Sequence, residues 1–231
     1  MKKLLISGLL LIGSFSMASA EVGAKLGVSL NVGIFEASGF ETDIGPNATE
    51  KNLTTGTNEM LGVMGSVFIE KSLGFLPGPL GRLSIGVDHV PHDIKTGSQG
   101  RNDDKLTGLA EGGGATREAQ NSASATLNNI NTYYLTLNIT DWLYLKGGMM
   151  EMDVISTETL ESGNTYNNGS IDGTVIGLGV QSMSENGLFF RAEFNQTDLD
   201  GTTLKSTNTN NSVTISEVKG DSYKLSIGKS F

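Results

Sequence analysis

A two-residue alternation of apolar and other residues recurs eight times along this chain. From Val22 to Phe35 the even positions are Val22, Ala24, Leu26, Val28, Leu30, Val32 and Ile34. The odd ones are Gly23, Lys25, Gly27, Ser29, Asn31, Gly33 and Phe35. Successive side chains of a strand point to opposite faces, so this run predicts a strand with one apolar face. The same pattern returns over residues 60–70, 82–88, 132–139, 142–149, 174–181, 188–195 and 223–231. Helical periodicity is almost absent. In the fifth run Met150, Met152 and Val154 switch parity, which predicts a β-bulge near its far end.

Two architectures accommodate eight alternating strands. In a soluble sandwich the apolar face is the core. In a membrane barrel it meets lipid, and the other face fills the lumen. The connections between runs, roughly 22, 12, 38, 2, 15, 4 and 14 residues, alternate long and short. Outer-membrane barrels have long extracellular loops and short periplasmic turns, whereas a sandwich has no reason to sort its loops. The charges obey parity as well: Lys25, Glu70, Asp88, Lys146, Arg191, Glu193 and Lys224 all fall on the non-aliphatic face. A basic residue facing the bilayer midplane costs about 2–4 kcal/mol, while inside a barrel it can pair. The expected fold is therefore all-β: a transmembrane up-and-down antiparallel β-barrel of eight strands, spanning residues 21–231. Lumen-face glycines (Gly23, Gly27, Gly33, Gly62, Gly86, Gly148, Gly177, Gly179, Gly228) leave room for large neighbours in a narrow interior.

Residues 1–20 read as a cleaved secretory signal peptide. Lys2 and Lys3 precede a short apolar run, and Ala18-Ser19-Ala20 forms an A-x-A site that places cleavage between Ala20 and Glu21. No later segment is apolar enough, for long enough, to be a membrane helix. The chain lacks cysteine, which excludes disulfides, thiolate metal sites and a cysteine nucleophile. With 16 basic against 25 acidic residues, it lacks the basic face of a nucleic-acid binder.

The last run, Tyr223-Lys-Leu225-Ser-Ile227-Gly-Lys-Ser-Phe231, resembles the C-terminal signal read by the bacterial outer-membrane assembly machinery: a terminal aromatic preceded by apolar residues at alternate places. Tyr223, Leu225, Ile227 and Phe231 carry the likeness. Lys229 stands where an aromatic or apolar residue is usual. As an architecture the chain resembles the small eight-stranded barrels of the OmpA, OmpX, OmpW and opacity-protein group. That resemblance implies residence in the outer membrane of a Gram-negative bacterium. It also implies contact with periplasmic chaperones, the assembly machinery, outer-membrane lipid and lipopolysaccharide.

Four polar segments, 36–58, 91–128, 156–169 and 199–212, are expected outside the cell, with a short helix over 115–125. Asn186-Gly187 marks a tight hairpin. Phe35, Phe68, Phe75, Tyr133, Trp142, Phe189 and Phe231 are either interface girdle or lumen filler. Lys25, Asp88, Lys146, Arg191, Glu193 and Lys224 form the expected lumen charge network, because an eight-stranded interior is about wide enough for side chains alone. His89 and His92 are the two candidates for a catalytic base, but no serine stands beside them in sequence, so no catalytic residue, cofactor or metal site is assigned. The expected role is a non-enzymatic surface protein with a plugged lumen, whose loops meet ligands or phage. The alternative is a narrow porin-like channel for ions or small solutes.

Overall fold

The computed structural model describes residues 23–44, 51–106, 116–159 and 165–231. The proposed leader and its cleavage site at Ala20 and Glu21 lie outside the described residues. The strands are β1 (Ala24–Ile44), β2 (Lys51–Ser72), β3 (Leu83–His89), β4 (Ile94–Lys95), β5 (Gln99–Leu106), β6 (Thr116–Asn138), β7 (Leu143–Thr159), β8 (Gly169–Met183), β9 (Leu188–Lys205) and β10 (Ser212–Ser230). All pairings are antiparallel. They run β1–β2–β3–β6–β7–β8–β9–β10, and β10 returns to β1. The short β4 and β5 continue the β3 position upward along β6. The ring therefore has eight positions, each paired to both neighbours over its lower part, where hydrocarbon offers no water to satisfy a sheet edge.

Short connections close the lower end. The turn at Ser184–Gly187 is the predicted hairpin: Gly187 has φ +80° and its N–H donates to Ser184 O at 2.9 Å. Phe231 closes the seam below, its N–H donating to Ala24 O at 2.8 Å.

The outward side chains of the lower half form an apolar belt. On β1 these are Leu26, Val28, Leu30, Val32 and Ile34, all exposed. At about 3.3 Å per residue they cover roughly 26 Å of strand, which at a barrel tilt of about 40° rises about 20 Å, most of the height of a membrane-barrel band. The inward side chains at the same level are charged, polar or aromatic, with glycines between them. Above the belt the pattern inverts. Outward positions become charged or polar (Glu36, Glu59, Asp172, Asp198), and inward ones become apolar: Met64, Val90, Ile130, Met152, Val154, Tyr166, Ile171, Leu199 and Leu204 make one buried cluster. The barrel is lipid-facing below and built like a water-soluble barrel above.

Three expectations are corrected by this upper half. The polar segments are largely strand, because the wall continues above the belt. Residues 116–125 belong to β6 and not to a helix. The bulge lies in β6 and not in β7: register shifts between Asn128 and Asn131, with Asn129 at φ 51°. Strand β7 keeps its parity throughout. Met152 and Val154 change character because the lumen they face changes from polar to apolar.

The β2–β3 seam is incomplete. Strands β2 and β3 pair only over Val67–Ser72 and Ser84–His89. Above Val67, β2 continues to Lys51 paired with β1 alone, while β4 and β5 pair with β6 alone.

Candidate functional site: the charged lumen

Alternation puts the charged and aromatic residues of β1, β2, β3, β6, β7, β9 and β10 into the same narrow space, while β8 adds Val175, Gly177 and Gly179 there, so the site is made by parity. Large rings fit because a glycine stands opposite each. Phe68 faces Gly27, Phe189 faces Gly228, Tyr134 faces Gly86, Tyr144 faces Gly179 and Phe35 faces Gly220, all as direct cross-strand partners. A methyl group built on Gly86 or Gly179 would approach the tyrosine ring to 2.4 or 2.3 Å. Of the candidate girdle residues, Phe68 and Phe189 are thus lumen filler, while Phe75, Trp142 and Phe231 are exposed near the lower end.

All six predicted network residues point inward and are buried. They form two clusters. In the lower one, Glu70 accepts from Lys25 Nζ at 3.0 Å and from both terminal nitrogens of Arg191 at 2.7 and 2.9 Å. In the upper one, Glu193 accepts from Lys146 Nζ at 3.0 Å, and Asp88 accepts from Lys224 Nζ at 2.5 Å. Asp88 also accepts from Ser66 at 3.1 Å, and Ser66 lies 2.7 Å from the Ser29 hydroxyl.

Two tyrosines cross-link the clusters. Tyr134 donates to Glu70 at 3.4 Å and offers its ring to Lys146, 4.8 Å from the centroid. Tyr144 donates to Glu193 at 2.6 Å and offers its ring to Arg191 at 5.1 Å. Phe68 and Phe189 also lie against the Arg191 guanidinium, at 5.8 and 5.1 Å. Each ring supplies a face that attracts a desolvated cation. The layer holds four cations and three carboxylates among the described residues.

Glu70 is the residue that sequence reasoning left out of the network. Its parity was legible. Its central place was not, because it joins β2 to β9 across the lumen. It is the only network carboxylate shared by two cations among the described residues, and it is fully buried.

Above the ion pairs lies a cavity of about 30 Å³, lined by Asn31, Ser66, Asn195, Ser222 and Lys224 among others and roofed by Met64, Val90 and Ile130. Asn31 Oδ1, Asn195 Oδ1 and Ser222 Oγ have no protein partner. A space of this size takes water and nothing larger. The histidines lie elsewhere. His89 Nδ1 is 2.9 Å from Asn131 Oδ1, and His92 Nε2 accepts from the Gly65 N–H at 3.1 Å.

On the outer surface Tyr223, Leu225 and Ile227 point into the belt, and Lys229 reaches the carbonyl of Asn186. On the upper wall, Lys219 donates to Glu217 at 2.9 Å, and the neighbouring Glu217, Asp198 and Glu36 hold its ammonium above the ordinary lysine range. Glu36 and Glu59 stand directly opposite each other on β1 and β2.

The sequence matches no protein-family model and no curated protein. Among solved structures, the chain is similar to the outer membrane protease OmpT of Escherichia coli, at 10% identity and TM-score 0.44, covering 93% of this chain and 99% of that one. It is also similar to the attachment invasion locus protein Ail of Yersinia pestis, in complex with the heparin analogue sucrose octasulfate, at 10% identity and TM-score 0.38, covering 90% and 99%. A third is the outer membrane protein OprG of Pseudomonas aeruginosa, at 11% identity and TM-score 0.37, covering 92% and 99%. Likeness at this level assigns no activity. The barrel is established by the strand pairing of the chain itself.

Proposed function

We propose that this chain is an integral outer-membrane protein of a Gram-negative bacterium, closed to solutes, whose acidic outer wall is an interaction surface. The short turns and Phe231 face the periplasm. The belt meets outer-membrane lipid and lipopolysaccharide, and the long strands stand outside the cell. The alternating outward Tyr223, Leu225 and Ile227, with Phe231, are what periplasmic chaperones and the assembly machinery would read. The role is non-enzymatic, and the surface partner is a ligand or phage.

The observation that carries closure is the lumen cross-section at Glu70, Arg191 and Glu193. Charges there are matched by ion pairs and aromatic faces, an apolar core sits directly above, and the space between admits water alone. Solute flow would require separating buried ion pairs, and a buried charge without its partner costs about 3–5 kcal/mol.

The test is single-channel recording in planar bilayers, with heat-modifiable gel migration confirming the folded barrel. The native protein should give no discrete steps, while Arg191→Ala/Glu193→Ala, which hollows the layer, should give them. Steps from the native protein would replace this reading with that of a narrow channel.

A further inference from the structure

The incomplete seam leaves one long strand edge without a neighbour. Strand β2 is paired with β1 along its whole length, but its other edge is paired only below Ser66. Backbone groups of alternate residues point to opposite edges. Gly65 turns its N–H to the open side, where His92 Nε2 takes it at 3.1 Å. The imidazole is held for this by its other nitrogen: Nδ1 lies 3.2 Å from Asp93 O and must donate to that carbonyl, which leaves Nε2 the acceptor. By the same alternation Val63, Leu61, Glu59 and Thr57 present their N–H and C=O groups to the open side. No strand pairs there among the described residues. Leu61 and Val63 stand in the apolar belt, where an unpaired backbone group costs several kcal/mol.

We infer that the upper edge of β2, from Thr57 to Gly65, is a docking edge for an extended segment of a partner protein, apolar beside Leu61 and Val63 and basic beside Glu59, which adds as a strand and displaces His92 from Gly65. This rests on the reading of the outer wall as an interaction surface and gives its partner a chemistry. An exposed edge is a template for strand addition, in which backbone bonds supply affinity and side chains specificity. Side chains beside an added strand would be Leu61 and Val63 outward in the belt and Glu59 above them. Glu59 faces Glu36 on its other side, and the cation of that row, Lys219 on β10, lies beyond Glu36 and is shared with Glu217 and Asp198, so Glu59 has a like charge beside it and no cation. A basic residue on the incoming strand supplies one. That argues against a second copy of this chain, which would bring its own net −9 charge to the same place.

The test uses the full barrel in nanodiscs of zwitterionic lipid, with a synthetic Lys/Val peptide as probe, whose outward face carries Val beside Leu61 and Val63 and Lys beside Glu59. Two controls are its Glu/Val counterpart, with Glu in place of Lys, and an N-methylated Lys/Val peptide that cannot pair. Amide hydrogen exchange reads the site. Bound Lys/Val peptide should protect the amides of residues 59, 61, 63 and 65, leave those of 60, 62 and 64 unchanged, and be lost on N-methylation. His92→Ala, which removes the competing acceptor, should tighten binding about threefold. Glu59→Lys should weaken it about tenfold. Equal binding of the N-methylated or the Glu/Val peptide, or protection of both amide sets alike, would overturn the proposal. So would protection of the odd-numbered amides by self-association without peptide. A barrel that conducts but still shows odd-only protection would sink the closed-lumen reading and keep the docking edge.

Discussion

Glu70 decides the energetics of the lumen because it serves two cations. Removing Lys25 leaves its bidentate pairing with Arg191 whole. Removing Glu70 strands Lys25 and Arg191 together, both buried. Glu70→Ala should therefore destabilise the folded barrel by about 3–5 kcal/mol, and Lys25→Met by clearly less. Urea unfolding in lipid vesicles, followed by tryptophan fluorescence from Trp142, orders the two. Equal losses would show that Lys25 and not the Glu70–Arg191 pair sets the cost. Parity alone made the side of the wall on which each charge stands legible in the sequence. It could not give the partner, since Glu70 and Arg191 are 121 residues apart and meet only because the ring folds β2 and β9 toward one axis. His92 was illegible for a related reason. Its partner is a backbone N–H freed by a pairing that stops, and no side-chain pattern records that.

At the level of the strand, direct pairing of an aromatic with a glycine is what lets five large rings share one narrow lumen. Gly86→Ala and Gly179→Ala each drive a methyl group into a tyrosine that is already hydrogen-bonded, so neither ring can swing away without losing its carboxylate. The expected cost is about 1–3 kcal/mol for each. Gly147, on the outward face of β7, has nothing within 4 Å of an added methyl group. Gly147→Ala is the matched control and should be near neutral in the same unfolding measurement. Strand number, parity and the tight turn at Asn186-Gly187 were all readable from alternation and turn chemistry. Strand length was not, because above the belt outward positions carry the polar residues that also mark loops. The helix expected over 115–125 fails there: composition says solvated, and β6 meets that demand as a strand whose neighbour β5 supplies its backbone partners.

Across the whole molecule, inside and outside exchange character at the top of the belt. Below, lipid takes the apolar side chains and the lumen holds charge. Above, water takes the charge and the lumen holds Ile130, Met152, Leu199 and their neighbours. The two halves therefore depend on different forces. Hydrocarbon enforces closure below, while the upper wall stands only if its own core excludes water. A defect in the upper core should open that half alone. Leu199→Ala removes most of a side chain that is 2% exposed, a change that costs about 2–5 kcal/mol in a packed core. Ile130→Asp goes further by placing a lone carboxylate there. In vesicles treated with protease from outside, the native upper strands should resist cleavage. Ile130→Asp should be trimmed down to the belt, leaving a protected membrane fragment that still migrates as a heat-modifiable barrel, and Leu199→Ala should fall between the two. If Ile130→Asp abolished insertion outright, the halves would be one cooperative unit, and the exchange at the belt would be a change of surroundings without a change in what holds the wall together.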